Sequence, residues 1–230
     1  MMRRKALSIE TSSVCNRRCP TCIRNSHPDR EFVKSWFELH LMPMQMIRDI
    51  LEDAKTFKKH KWVVSLSYYN EPTMDPRIID IMKTVKSYDF QTEFVTNGDF
   101  LSKDLASKMD GIVDVILVSG YENKTIKEAY FKTLFSKTEL RVKKQRHKYT
   151  HYSPNPSLPK AKCLTENRLI INHKGEYLLC CEDFGNFDLG KFPEVSMKDY
   201  WYGKKRTEIA KDVMNGNRHK YEYCKTCPRV

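Results

Sequence analysis

Eight cysteines fall in two groups near opposite ends of the 230-residue sequence: Cys15, Cys19 and Cys22, then Cys163, Cys180, Cys181, Cys224 and Cys227. Any fold this chain adopts has to gather each group, because thiols so spaced read first as ligand sets or disulfide partners. Disulfides fit poorly. Met1 to Lys5 is basic, but only Ala6 to Ile9 follow before Glu10, too few for the apolar stretch of an export signal. No apolar run approaches the roughly 18 residues of a membrane span, and the longest candidate, Ile112 to Val118, is interrupted by Asp114. The expectation is a soluble, cytoplasmic chain in a compartment that keeps thiols reduced, large enough to build a core without covalent staples.

The first group reads C-N-R-R-C-P-T-C, so one short loop can curl three thiolates toward one centre. Three ligands leave a fourth position open. A structural zinc wants four closed ligands, and His27 is the nearest candidate for the fourth, so a zinc knuckle is one alternative for this loop. An iron–sulfur cube held by only three cysteines would instead keep one iron free for a substrate or cofactor.

Ala6 to Thr11 alternates as a short strand directly before this loop, and apolar runs recur at Trp62 to Leu66, Thr92 to Val95, Ile112 to Val118 and Glu139 to Val142. Between them, Met46, Ile47, Ile50, Leu51 and Ala54 keep a helical spacing after Pro43, and Ile78, Ile79, Met82 and Val85 repeat it. Strands alternating with helices predict an α/β fold on a parallel sheet. A doubly wound open sheet is the alternative to a barrel.

These residues resemble the radical S-adenosylmethionine (radical SAM) enzymes. In that family, three thiolates spaced as Cys15, Cys19 and Cys22 hold a 4Fe-4S cluster whose free iron chelates the amine and carboxylate of SAM. The resemblance implies a partial (β/α) barrel with functional groups at the carboxyl ends of its strands. Tyr68-Tyr69-Asn70-Glu71-Pro72 is similar to the family's G-E-P segment, with Glu71 as acceptor for the SAM amino group. Asn70 replaces the usual Gly, and Asn can adopt the left-handed backbone that Gly supplies. Thr96-Asn97-Gly98 is similar to the family's T-N-G segment, and Ser119-Gly120 ends the fourth strand. Glu71, Thr96, Asn97 and Ser119 are thereby the expected SAM contacts, with Thr96 and Ser119 for the ribose and carboxylate. Thr21 departs from the aromatic residue many members place against adenine. Without the family, Asn-Glu-Pro and Asn-Gly are ordinary turn signals.

The spacing C-x11-G-x4-C from Cys163 through Gly175 to Cys180, closed by Cys224-Lys225-Thr226-Cys227, resembles the twitch domain, a shortened SPASM module. There four cysteines hold a second, fully coordinated 4Fe-4S cluster, which assigns Cys163, Cys180, Cys224 and Cys227; Cys181 could replace Cys180, but the G-x4-C spacing selects Cys180 and leaves Cys181 over as a buried free thiol. Arg168 to Asn172 and Glu176 to Leu179 read as a small β-hairpin around His173-Lys174-Gly175, and Met197 to Met214 as a helix. Four cysteines ending in Cys-x-x-Cys also describe a zinc ribbon. The expected division is 1–150 for the barrel, 151–162 for a basic, Pro-rich linker and 163–230 for the auxiliary-cluster domain.

Forty-one Lys and Arg against 29 Asp and Glu leave a net charge of +12, which favours anionic partners without choosing among them. Much of the excess lies between Lys137 and Lys162, a solvated face or a groove that His147, Tyr149, His151 and Tyr152 could line. The segments Thr96 to Leu101 and Cys181 to Phe184 are similar to those of small SAM-dependent dehydrogenases within the family. As a whole the resemblance implies reductive cleavage of SAM to a 5′-deoxyadenosyl radical and abstraction of a substrate hydrogen. The net reaction is then a two-electron oxidation, with the auxiliary 4Fe-4S cluster accepting an electron. It also implies an electron donor such as flavodoxin or ferredoxin and a small-molecule or peptide substrate. Radical modification of a peptide or nucleic acid is the rival, and a zinc-stabilised nucleic-acid-binding protein the non-enzymatic reading. Steep weakening by salt would mark nucleic acid.

Overall fold

The computed structural model describes residues 5–57, 62–120, 128–144, 150, 152–153, 163 and 168–227. Strand β1 (Lys5–Ile9) leads through the cysteine loop into two short helices, α1 (Ile23–Ser26) and α2 (Arg30–Trp36), and then α3 (Met44–Thr56). Strands β2 (Trp62–Ser65), β3 (Gln91–Thr96), β4 (Val115–Gly120) and β5 (Glu139–Lys144) alternate with α4 (Ile78–Ser87), α5 (Lys103–Met109) and α6 (Glu128–Thr133). A hairpin of β6 (Arg168–Ile171) and β7 (Tyr177–Leu178) precedes α7 (Met197–Tyr202), α8 (Lys204–Met214) and α9 (Glu222–Lys225).

The strands form one sheet in the order β5-β4-β3-β2-β1-β6-β7, parallel throughout except for the β6–β7 pair. From β1 to β5 the spatial order follows the chain, so successive crossovers all step the same way. A doubly wound sheet would reverse direction at a switch point inside this run. None occurs, and the sheet is the open, partial (β/α) barrel that the resemblance implied, with β5 and β7 at its edges.

Register decides which residues make the core. Leu7 pairs with Val64, Val64 with Thr92 and Phe94 with Ile116, so these side chains share one face of the sheet. That face meets Ile47, Ile50 and Leu51 of α3, Ile81, Met82 and Val85 of α4, and Met109 of α5 in one buried cluster. Each such side chain contributes about 1.5–3 kcal/mol on burial. The opposite face carries a paired row of Ser8, Ser65 and Glu93, a polar inner wall. The core continues past the fifth strand: Leu169, Ile171 and Tyr177 of the hairpin and Met197, Tyr200 and Trp201 of α7 belong to it. Trp201 meets Trp62 edge-on with centroids 5.4 Å apart. A second, smaller cluster of Leu179, Phe187, Ile209 and Val213 packs against Cys163 and Cys224.

Two expectations change. The single helix from Met197 to Met214 is broken at Gly203, whose ψ of 136° is extended, and a Cβ there would lie 2.9 Å from the Asp199 carbonyl oxygen. Strand β4 begins at Val115 rather than Ile112, because Asp110 to Val113 form a bridged turn. Among the described residues, no helix is long and apolar enough to cross a membrane.

Candidate functional site

Strand β1 ends at Ile9, and Glu10 to Ser13 after it are fully buried. Met42 N donates to Thr11 O and Ser13 N to His40 O, both at 2.9 Å, so the cysteine loop leaves a fixed base. Within the loop, Cys22 N donates to Cys19 O at 3.0 Å and Asn25 N to Cys22 O at 2.8 Å, closing the turn that becomes α1. All three thiols are partly buried. Burial pushes the Cys22 thiol up to about 12, with Cys19 and Cys15 adding to the rise and Arg24 opposing it. Burial likewise raises Cys15, to which Cys19 adds. Thiols that raise one another's pKa become fully anionic most readily beside a bound cation.

Three partly buried thiols on one short loop are the donor chemistry of a cluster with one open iron. His27, the fourth ligand of the zinc alternative, is engaged elsewhere: its Nδ1 accepts from Asp29 N at 3.0 Å and its ring packs on Phe32 and Tyr152. Among the described residues, no three His, Cys, Asp or Glu groups gather tightly enough to hold a single metal ion.

The loop after β2 supplies the neighbouring groups. Glu71 N donates to Val14 O at 2.7 Å, tying this loop to the start of the cysteine loop. The Glu71 carboxylate is 2% exposed. Its Oε1 accepts from Thr73 Oγ1 (2.5 Å), Thr96 Oγ1 (2.6 Å) and Thr73 N (3.2 Å), and its Oε2 from Asn97 N (2.7 Å). Glu71, Thr96 and Asn97 are therefore brought together, and Oε2 keeps capacity for one more donor. Gly98 closes the turn at φ +80°, where a Cβ would lie 2.9 Å from the Phe131 ring. Ser119 is also buried, but Thr96 pairs with Val118, so the Ser119 side chain lies on the opposite face of the sheet, that of Glu93.

Asn70 does not adopt the left-handed backbone, since Asp89 is the one non-glycine with positive φ among the described residues. It serves through its side chain, whose Oδ1 accepts from Tyr68 N at 2.9 Å. The hydroxyls of Ser8, Thr11 and Ser12, in and just beyond β1, are buried with no hydrogen-bond partner among the described residues. Such spare polar capacity is what a bound polar group would use.

The second cysteine group forms around the end of the hairpin. Cys163 N donates to Val213 O at 3.1 Å and Cys224 N to Tyr221 O at 2.9 Å, so the residues around α8 and α9 hold both. Burial drives the Cys180 thiol well up, and Cys181, Asp183 and Cys163 add to it. Burial takes Cys224 to about 12, with contributions from Cys227 and Cys163. Four thiols are the donor chemistry of a closed cluster site, and Cys180 and Cys224 both feel Cys163, while Cys224 also feels Cys227. Cys181 is partly buried beside Cys180.

Contacts that no motif marked join the two groups. Tyr68 Oη donates to Cys180 O (3.2 Å) and to Asp183 O, and Tyr69 Oη donates to Cys181 O (2.5 Å). Glu10 Oε2 lies 2.7 Å from His173 Nδ1, both side chains being 0% exposed, while His173 Nε2 lies 3.0 Å from Trp36 O. Glu10 Oε1 also accepts from Tyr69 N at 3.1 Å. In sequence only a Tyr-Tyr pair before Asn-Glu-Pro and a lone acid after a strand are visible; the partners lie 112 and 163 positions away. His147, Tyr149, His151 and the prolines of the expected linker lie outside the described residues.

Residues 9–122 match the radical SAM superfamily, and residues 163–228 match SPASM, an iron-sulfur cluster-binding domain. The S-adenosyl-L-methionine-dependent 2-deoxy-scyllo-inosamine dehydrogenase of Niallia circulans is 23% identical across 97% of this chain and 92% of that protein. The tungsten-containing aldehyde ferredoxin oxidoreductase cofactor-modifying protein of Pyrococcus furiosus is 29% identical over 116 residues. The match takes in half of this chain but only 30% of that relative. Among solved structures, BtrN in complex with AdoMet and 2-DOIA superposes with a TM-score of 0.81 at 21% identity, covering 99% of this chain and 94% of that one. The anSMEcpe enzyme with bound AdoMet gives a TM-score of 0.66 at 14% identity, covering 96% and 88%. These families carry 4Fe-4S clusters and use SAM. The chain is a member of the radical SAM superfamily, a partial (β/α) barrel followed by a SPASM-type iron–sulfur domain.

Proposed function

We propose that this enzyme oxidises a polar substrate by two electrons, with Cys15, Cys19 and Cys22 holding the SAM-binding cluster and Cys163, Cys180, Cys224 and Cys227 holding a second cluster that accepts an electron. When bound, SAM and the clusters supply the redox chemistry. In balance, an H–C–OH group of the substrate would give up one hydrogen atom to the reductively cleaved cofactor, at the expense of one donor electron, and then a proton to solvent and one electron to the second cluster, leaving C=O. Glu71, Thr96 and Asn97 orient SAM at the ends of β2 and β3, and Ser119 faces it from β4. The polar row of Ser8, Ser65 and Glu93 lines the wall on which a hydroxylated substrate lies. The domain boundaries follow the same division, 1–150, 151–162 and 163–230, in a cytoplasmic enzyme served by a flavodoxin- or ferredoxin-like donor.

The observation that carries this reading is the pair of hydroxyl contacts from Tyr68 and Tyr69, three and two residues before Glu71, to the Cys180–Asp183 turn. They put the turn that carries Cys180 next to the loop proposed to hold SAM. The dehydrogenase relative, matched over nearly its full length, supports the same chemistry. Cys227→Ala tests it. The variant is expected to keep the first cluster and to form 5′-deoxyadenosine, while oxidised product falls below one per 5′-deoxyadenosine. One product per 5′-deoxyadenosine in that variant would refute the electron-acceptor role.

Peptide modification is the second reading, favoured by the shared fold of SuiB bound to its precursor peptide SuiA, at a TM-score of 0.58. Membership in an enzyme family sets aside the zinc-stabilised, non-catalytic reading.

A further inference from the structure

The loop after β1 and the loop after β3 are separated in the sheet by β2, a gap of roughly 9–10 Å at ordinary strand spacing. Side chains nonetheless bridge it. Arg17, between Cys15 and Cys19, meets Asp99 as a two-pronged fork, Nε to Oδ2 at 2.7 Å and Nη2 to Oδ1 at 2.5 Å, and Nη2 also donates to Asn97 O at 3.2 Å. Asn16 Nδ2 donates to Asp99 Oδ2 and Asn97 Nδ2 to Asn16 Oδ1, both at 2.8 Å. Asp99 N donates to Asn97 Oδ1 at 2.9 Å. With Glu71 Oε2 on Asn97 N and Glu71 N on Val14 O, the contacts close a ring that runs from Val14 through Glu71 and Asn97 to Asn16.

Resting on the proposed SAM site, we infer that Arg17 and Asp99 are positioning residues: they clasp the cysteine loop to the Thr96–Asp99 turn and set the width of the SAM cleft. A ring closed at Glu71 alone would leave the cysteine loop hinged at Val14. The fork fixes its free side, and only a guanidinium matches both carboxylate oxygens at once. The pair is partly exposed, at 25% and 36%, so it holds the loop without building the core. Cysteine ligation does not depend on it, and SAM binding does.

The test uses anaerobically purified protein with both clusters loaded, comparing the wild type with Arg17→Ala, Asp99→Ala, the double variant and Arg17→Lys. Iron content, SAM affinity by equilibrium binding, and the change SAM induces in the EPR signal of the reduced cluster are read together. Each alanine variant is expected to keep its iron and to bind SAM about tenfold more weakly, the loss of about 1.4 kcal/mol. The double variant is expected to be no weaker than either single one, and Arg17→Lys to lie between, since it keeps charge but not the fork. Single variants that bind SAM like the wild type, or losses that multiply in the double variant, would overturn the clasp alone. A wild type that loads clusters yet binds no SAM would overturn the proposed function and the clasp with it.

Discussion

Glu10→Ala is expected to lower folding stability by about 3–5 kcal/mol, the cost of stripping three buried hydrogen bonds of their shared acceptor. The carboxylate takes His173 Nδ1 at 2.7 Å, His173 N at 3.3 Å and Tyr69 N at 3.1 Å, with no exposure of either side chain of the pair. Both His173 nitrogens are engaged, Nδ1 with the carboxylate and Nε2 with Trp36 O at 3.0 Å, so the ring is held at both ends. Alanine leaves His173 Nδ1, His173 N and Tyr69 N without the carboxylate in the interior. At about 2–4 °C per kcal/mol for a chain of this size, the melting temperature should fall by roughly 6–20 °C. Glu10→Gln, which keeps the shape and one acceptor, should lose less. Thermal unfolding of the clusterless chains, wild type beside both variants, measures this. A shift of under 2 °C for Glu10→Ala would show that the pair contributes nothing net.

Glu71→Ala is expected to weaken SAM binding by at least about a hundredfold. Four donors end on its two oxygens, and two of them, Thr96 Oγ1 and Asn97 N, belong to the neighbouring strand end. Removing the carboxylate leaves these donors unpaired in a site that is almost closed to water, and deletes the proposed acceptor for the SAM amino group. Both effects fall on the same affinity. Glu71→Gln separates them: the amide still fills the space but carries no charge, so a loss of tenfold or more there assigns part of the effect to the cofactor's ammonium. Equilibrium binding of SAM, with iron content checked in parallel, gives the readout. Unchanged affinity in Glu71→Gln would mean that the residue only braces β2 against β3.

The parts of this fold legible in the sequence were those written in local patterns. Helical spacing at Ile47, Ile50 and Leu51 placed α3, and the alternation before Cys15 placed β1, because burial of one face repeats at the period of the element itself. The cysteine spacings and the Glu71 and Thr96 segments were legible for the same reason: each is a short loop just past a strand. What was not legible is contact between distant segments. Nothing in Tyr68-Tyr69 announces the carbonyls of Cys180 and Cys181, and nothing in Glu10 announces His173. The Arg17–Asp99 fork was hidden because both residues sit in motifs read for other purposes. The Gly203 break was missed since a glycine inside an apolar periodic run costs only about 1 kcal/mol, too little to overrule the pattern. Asn70 was read through its backbone tolerance, whereas its side chain is what shapes the turn.

The central claim is that the two cysteine groups hold two iron–sulfur clusters and that the first of them works on SAM. Anaerobic purification, followed by iron, sulfide and zinc analysis with 5′-deoxyadenosine formation under reductant, tests it most directly. The comparison is the triple change of Cys15, Cys19 and Cys22 to Ala. The wild type should carry about eight irons with matching sulfide and release 5′-deoxyadenosine, and the variant should hold about four and release none. Zinc without sulfide, and no 5′-deoxyadenosine from the wild type, would contradict it.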